Sequence, residues 1–336
     1  ELSTSPLGVL DGSLPVDLAG HVFFQSLSLQ PSDAGFSGDG MVWRVDFDGP
    51  VPQLTSRLLR TTDLLMVRAF EDTPYQFESR GMTRLGRLGM QNQANTALVG
   101  LDGNRLIATC DGGRPWEIDP ATLDPITPVG RLDDYRPMAD LPFNRFLCPM
   151  GVASAHPPYD AHTGEYYGVS LSIVPIPGMM FFEVLCWDGS GAMKQVPVIT
   201  PDGTPLMITQ NAHQLAVTRH HLVVLDASGT IETGKLLNPP NSAEAGYTQA
   251  PRPESYFYVI SRDDLRKPSG GAVAQRVVVP RESGHFMVDY ESSPGRLVIH
   301  SAHTSASDFA EWVQPYDRHP ESGDVVRSDL VNAITP

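Results

Sequence analysis

Asn95–Leu123, NTALVGLDGNRLIATCDGGRPWEIDPATL, holds the pattern on which the fold reading turns. Within it Arg105–Thr109 (RLIAT) is a short apolar run of strand type, and Asp102-Gly103 supplies the positive backbone angles of a tight turn just before it. Outward from this stretch the pattern repeats. Strand-like runs fall at Met41–Phe47, Tyr166–Leu171, Phe181–Trp187, Gln214–Val217, His221–Leu225, Tyr256–Ile260, Arg276–Val279 and Arg296–His300. Further Asp-Gly pairs stand at 48–49, 188–189 and 202–203.

Many short, turn-bounded strands predict an all-β sandwich, barrel or propeller. Composition agrees: Gly and Pro number 30 each, with 41% hydrophobic and 19% charged residues among 336. No clean internal repeat is visible, which degenerate blades tolerate. Helix signals are weak; Ser305–Val313 (SASDFAEWV) could form two turns between strands. Ser172–Met180 (SIVPIPGMM) reads either as a buried connection or as the lining of a tunnel or membrane contact.

A net charge of −15, from 39 acidic residues against 24 Lys and Arg, argues against a nucleic-acid groove or an anionic-lipid anchor. Cys110, Cys148 and Cys186 are odd in number and far apart, so they suit a reducing compartment better than a disulfide framework. No uninterrupted apolar run reaches the roughly 18 residues of a membrane span, and ELSTSPLGVLDG lacks signal-peptide character. A cytoplasmic protein is expected.

Ten histidines are present without an HExxH or CxxC-His pattern, so any metal site must be assembled from distant strands. His156 precedes Pro157 and is thereby biased to extended backbone; His213 (NAHQLAVT) and His285 (SGHFMVDYE) stand at expected strand starts. Strand ends converge in a propeller or barrel, so these three imidazoles could meet at one metal; imidazole suits Fe, Zn, Cu and Ni alike. Taken singly, each is as well explained as a satisfied polar residue. His21, His162, His220, His221, His300, His303 and His319 are expected at solvent or without a role.

Several motifs together resemble the carotenoid cleavage oxygenase family, which includes retinal pigment epithelial membrane protein and apocarotenoid oxygenase. GFSGDGMVWRVDFDG (35–49) is similar to its Asp-Gly-Asp-Gly-Met turn, and Asn95–Leu123 resembles a blade ending in Glu-Leu-Asp-Pro-x-Thr-Leu. SAHPPYDAHTGE (154–165) matches its Ala-His-Pro-x-x-Asp-x-x-Thr-Gly-Glu and is the most specific; 211–218 and 285–291 look like the second and third metal-histidine segments. The resemblance covers nearly the whole chain. It implies a single seven-bladed β-propeller over 1–336 that lacks its C-terminal blade or strands. On its axis it implies Fe(II) held by His156, His213 and His285, with the family's fourth histidine not visible here.

The implied activity is O2-dependent cleavage of a conjugated double bond in an apolar polyene, with peripheral membrane contact as a route for substrate. Asp111 occupies the place of a family Glu that holds a ligand histidine. Being one methylene shorter, it is expected to need a bridging water or a shifted backbone, or to be only a turn residue before Gly112-Gly113. Val288-Asp289 replaces the family's Asn-Ala, whereas Tyr290 and Glu291 match. Stilbene-cleaving relatives carry Lys where Cys110 stands, which favours a carotenoid or apocarotenoid over a stilbenoid. A non-catalytic propeller that binds a hydrophobic ligand is the reading from another class.

Overall fold

The computed structural model describes residues 2–29, 37–80, 83–137, 151–173, 180–208, 212–226, 254–267, 270–280, 282–291 and 295–304. The expected helix at Ser305–Val313, residues 174–179 of the apolar segment, Cys148 and His319 lie outside the described residues.

Strands β1 (Ser3–Pro6), β2 (His21–Ser28), β3 (Asp39–Asp46) and β4 (Gln53–Leu58) form an antiparallel sheet in the order β1-β4-β3-β2. Helix α1 (Thr62–Ala69) leads to a small sheet of β5 (Glu78–Arg80), β6 (Thr83–Gly86) and β7 (Gly89–Met90). Next comes β11-β10-β9-β8, built from β8 (Ala97–Leu101), β9 (Arg105–Thr109), β10 (Trp116–Ile118) and β11 (Pro125–Pro128).

The largest sheet holds β12 (Tyr159–Asp160), β13 (Glu165–Ile173), β14 (Met180–Trp187), β15 (Lys194–Ile199), β16 (Met207–Ile208), β17 (Leu215–Val217), β18 (His221–Asp226), β19 (Glu254–Ser261) and β20 (Ala272–Pro280), with α2 (Arg262–Arg266) between the last two. It consists of two antiparallel four-stranded units joined by a short parallel contact of β15 with β20, while β16 pairs β14. Strands β21 (Glu282–Val288) and β22 (Ile299–Thr304) pair with each other. Successive four-stranded antiparallel units give a mostly β, propeller-like architecture.

The strand period of two explains why β13 and β14 are buried on both faces. Tyr167, Val169 and Leu171 join Phe182 and Val184 in the largest core cluster, with Val196, Leu222, Val224 and Ile260. Tyr166, Leu185 and Trp187 face the other way, against Ile107, Val129 and Met193.

Most expected strands are present, with three differences. Arg296–Val298 is not strand, since β22 begins at Ile299. Gly103, Gly189 and Gly203 take the expected positive φ of 75°, 87° and 84°, but Gly49 does not. Helix α1 was not expected: only Leu64 and Val67 of its eight residues are buried, too few for a clear apolar stripe. Its start is fixed by the Thr61 hydroxyl, which accepts from the Leu64 N–H at 3.2 Å.

The Asp39-Gly40-Met41 turn has a packing reason. Asp39 is buried and accepts from Arg84 Nη1 at 2.6 Å and Gln91 Nε2 at 2.8 Å. Gly40 donates to the Gln93 carbonyl at 3.0 Å, and a Cβ on it would overlap the Ala94 carbonyl oxygen. Because that obstacle is backbone, Gly40→Ala is expected to destabilise by about 1–3 kcal/mol or more, read as a lower urea midpoint at unchanged slope.

Candidate metal centre

The three candidate histidines lie far apart in the chain and come together in space. His156, before β12, forms an isolated parallel bridge with Gln214. Its N–H donates to the His213 carbonyl at 3.0 Å, and the Leu215 N–H donates to the His156 carbonyl at 3.1 Å. The Ser154 hydroxyl reinforces this lacing, donating to the His213 carbonyl at 2.9 Å. His213 stands just before β17. His285 departs from the strand-start expectation: it lies inside β21, opposite Ala302, next to a register irregularity after Ser283. A bulge re-aims a side chain without ending the strand.

The ring centroids form a nearly equilateral triangle. His156 is 4.9 Å from His213 and 5.1 Å from His285, and His213 is 5.1 Å from His285, with interplanar angles of 76°, 79° and 68°. One ligand nitrogen from each falls within 4.8 Å of the others. Such an edge-on ring of imidazoles can donate three lone pairs to one ion.

Asp111 reaches His213 directly, Oδ2 to Nδ1 at 2.8 Å, so no bridging water is needed. The loop that carries it is drawn in by backbone bonds. Ala153 N–H donates to the Asp111 carbonyl at 2.8 Å, Gly113 N–H to the Gly151 carbonyl at 3.0 Å, and Gly112 bridges Val152. The other carboxylate oxygen accepts from Ala155 N–H at 3.2 Å. Gly113 has φ +97°, a conformation open to glycine, and a Cβ there would run into Asn92.

Electrostatics favour neutral ligands at two of the three positions. Burial, then the neighbouring His213 and His285, push the His156 imidazole down to about 4. Burial and His213 lower His285 as well. At His213 burial also opposes the charged form, but the Asp111 charge and hydrogen bond outweigh it and raise the imidazole above its ordinary value.

Sequence reading missed Gln214, whose side chain contacts His285 Nδ1 at 2.9 Å. A glutamine beside a candidate ligand carries no signal until the strand it faces is known. Cys110 is buried and donates to the Gly112 carbonyl at 3.0 Å; burial pushes its thiol up to about 11, so it is not a reactive thiolate. His162 stacks on Tyr290 at 4.6 Å, and exposed His300 meets Asp289 at 3.1 Å.

A second grouping, His21 with Asp46 and Asp48, lies at the exposed edge of the first sheet. Its carboxylates already cap the turn: Asp46 accepts from Asp48 N–H at 2.9 Å and Asp48 from Gly20 N–H at 2.6 Å. Two residues beyond Asp111, Gly113 lines a small open pocket with Gly151, Leu132, Pro137 and Val152, and Arg114 and Arg136 add charge to its wall. Among the described residues no helix is long and apolar enough to cross a membrane.

Fold and site together define a class, a mostly β scaffold with three converging imidazoles. The family model for retinal pigment epithelial membrane protein (RPE65) matches residues 1–331, and the chain belongs to this carotenoid cleavage oxygenase family. Among solved structures, a point variant of the Synechocystis apocarotenoid oxygenase matches at 21% identity with a TM-score of 0.60, over 91% of this chain and 62% of that one. The cobalt-substituted Synechocystis enzyme matches at 20% identity and TM-score 0.62, over 91% and 62%. A chimera of apocarotenoid oxygenase and RPE65 matches at 20% and 0.61, with the same coverage. The chain thus spans about three-fifths of the length of these relatives and shares their fold.

Proposed function

We propose that this protein is a non-haem iron(II) dioxygenase that cleaves a conjugated carbon–carbon double bond of a carotenoid or apocarotenoid into two carbonyl products. The observation that carries this reading is the convergence of His156, His213 and His285, with Asp111 holding one of them. Family membership supports the polyene substrate, and the cobalt-substituted relative supports a metal at such a centre. On this reading the sheets are blades of a seven-bladed propeller.

The residues fit an Fe(II) ion: three imidazole nitrogens are available, and no described carboxylate occupies the space among them. Bound there, iron would supply the site at which O2 is activated beside the alkene. The protein's share is positional. Asp111 fixes His213 in the tautomer that bears its proton on Nδ1, and its negative charge offsets that of the cation. Leu132, Pro137 and Val152, beside Gly113 and Gly151, offer apolar contact to part of a hydrocarbon chain. Burial of Cys110 where a phenolate-binding Lys would stand disfavours a stilbenoid. A water-insoluble substrate suggests peripheral contact of a cytoplasmic protein with membranes.

Anaerobic loading with Fe(II), then addition of an apocarotenal under 18O2, is expected to give two aldehyde or ketone fragments, each detected by mass spectrometry with label before exchange. His156→Ala should give none. Intact substrate after stoichiometric iron loading would instead favour a propeller that only binds a hydrophobic ligand.

A further inference from the structure

Gln214 follows His213 directly, yet its side chain serves the third histidine. Its Oε1 accepts from the Phe286 N–H at 3.1 Å and meets His285 Nδ1 at 2.9 Å, while its Nε2 donates to the Phe286 carbonyl at 2.5 Å. The amide is therefore clamped between the N–H and the C=O of one residue. Turning it over would set its NH2 against the N–H and its oxygen against the carbonyl, so the backbone of Phe286 fixes which end is oxygen. An amide oxygen only accepts, so Nδ1 of His285 must donate. A neutral imidazole has a single N–H, which leaves Nε2 as a bare lone pair.

We infer that Gln214 is a positioning residue: it locks His285 in the Nδ1–H tautomer and frees Nε2 to meet the centre formed with His156 and His213. Asp111 does the same for His213 but adds a negative charge, whereas Gln214 orients its imidazole without one. Of the two hydrogen-bonded histidines, one is thus held by an anion and the other by a neutral amide. Among the described residues no hydrogen bond holds the His156 ring. Its backbone bonds to His213 and Leu215 set its position instead. The significance for metal binding rests on the proposed iron site, but the tautomer does not.

The test begins with metal-free protein, where 15N–1H correlation spectra of the histidine rings report which nitrogen bears the proton. Wild-type His285 is expected to be protonated at Nδ1. Gln214→Met should shift it toward a mixture, and Gln214→Glu, which keeps an acceptor facing Nδ1, should restore Nδ1–H while losing the bond to the Phe286 carbonyl. A residue that merely clips Phe286 would leave the tautomer unchanged in Met and Glu variants alike. Cobalt(II) titration followed by its visible bands should then show binding about 10–100-fold weaker in Gln214→Met than in wild type.

A wild-type His285 protonated at Nε2, or an unchanged tautomer in Gln214→Met, overturns the inference. Should the Met variant fail to fold, Gln214→Leu, which likewise removes the acceptor, takes its place, and a wild-type His285 protonated at Nε2 overturns the inference by itself. Absence of cobalt binding by wild-type protein would count against the metal site alone, since the tautomer is read without metal.

Discussion

His213→Ala is expected to abolish binding of one equivalent of Fe(II) or Co(II), measured by equilibrium dialysis with metal analysis, and to abolish any cleavage activity with it. His213 is the point where two dependencies meet. Its ring supplies one corner of the imidazole triangle, and its carbonyl accepts from both the His156 N–H and the Ser154 hydroxyl. Alanine keeps the carbonyl and removes only the ring, so the lacing of His156 should survive and circular dichroism should remain that of the wild type.

Asp111 permits a finer division. Asp111→Ala removes both the acceptor and the charge and should weaken metal binding by about 10–100-fold. Asp111→Asn keeps an acceptor for Nδ1–H but not the charge, so its smaller loss measures orientation separately from electrostatics. Full metal stoichiometry in His213→Ala would place the metal elsewhere and remove the basis of the proposed function.

How much of this was legible in the sequence differs between backbone and site. The strands were readable because each buried run has its own local period, as in β14, where Phe182 and Val184 point one way and Leu185 and Trp187 the other. Helix α1 was not, because its placement depends on two buried side chains and one threonine cap. The three histidines stood out through the motifs around them, yet their convergence depends on contacts such as the His156–Gln214 bridge, which no spacing encodes. Asp111 could be named but its reach could not, since the direct 2.8 Å contact depends on how Gly112 and Gly113 lie against Gly151 and Val152. Gln214 was invisible for a related reason: its partner lies on a strand about seventy residues away in the chain.

The most specific motif, SAHPPYDAHTGE, has a structural meaning that chain order hides. Asp160 and Glu165 both bind the buried Arg262 guanidinium, at 2.6 and 2.5 Å, and Thr163 accepts from it at 2.7 Å. Arg262 also donates to the Thr218 carbonyl at 2.8 Å and the Tyr167 hydroxyl at 3.1 Å. Tyr290 completes the cluster by donating to Asp160 at 3.0 Å. Asp160, Thr218 and Tyr290 lie four or five residues beyond His156, His213 and His285 respectively. At about 3.3 Å per extended residue, one cluster thus anchors all three metal-site segments within roughly 17 Å of the imidazoles.

Arg262→Met should therefore cost about 3–5 kcal/mol, because it leaves Asp160 buried with its countercharge gone. A lower urea midpoint at unchanged slope would show it, and metal affinity should fall although no ligand is touched. The same cluster predicts an acid transition. Hydrogen bonds from Arg266, then Thr163 and Arg262, hold the Glu165 carboxyl down at about 2 against burial. Asp160 is lowered too: burial opposes its ionisation, but the His162 N–H, Arg262, Thr163 and Tyr290 outweigh it.

A depressed carboxyl stabilises the fold above its unfolded value and loses that contribution as pH falls toward the folded one. Melting temperature should consequently drop between about pH 4.5 and 2, and this segment of the profile should be flatter in Arg262→Met. An Arg262→Met protein with wild-type stability and an unaltered acid limb would mean that the buried guanidinium does not anchor the three segments.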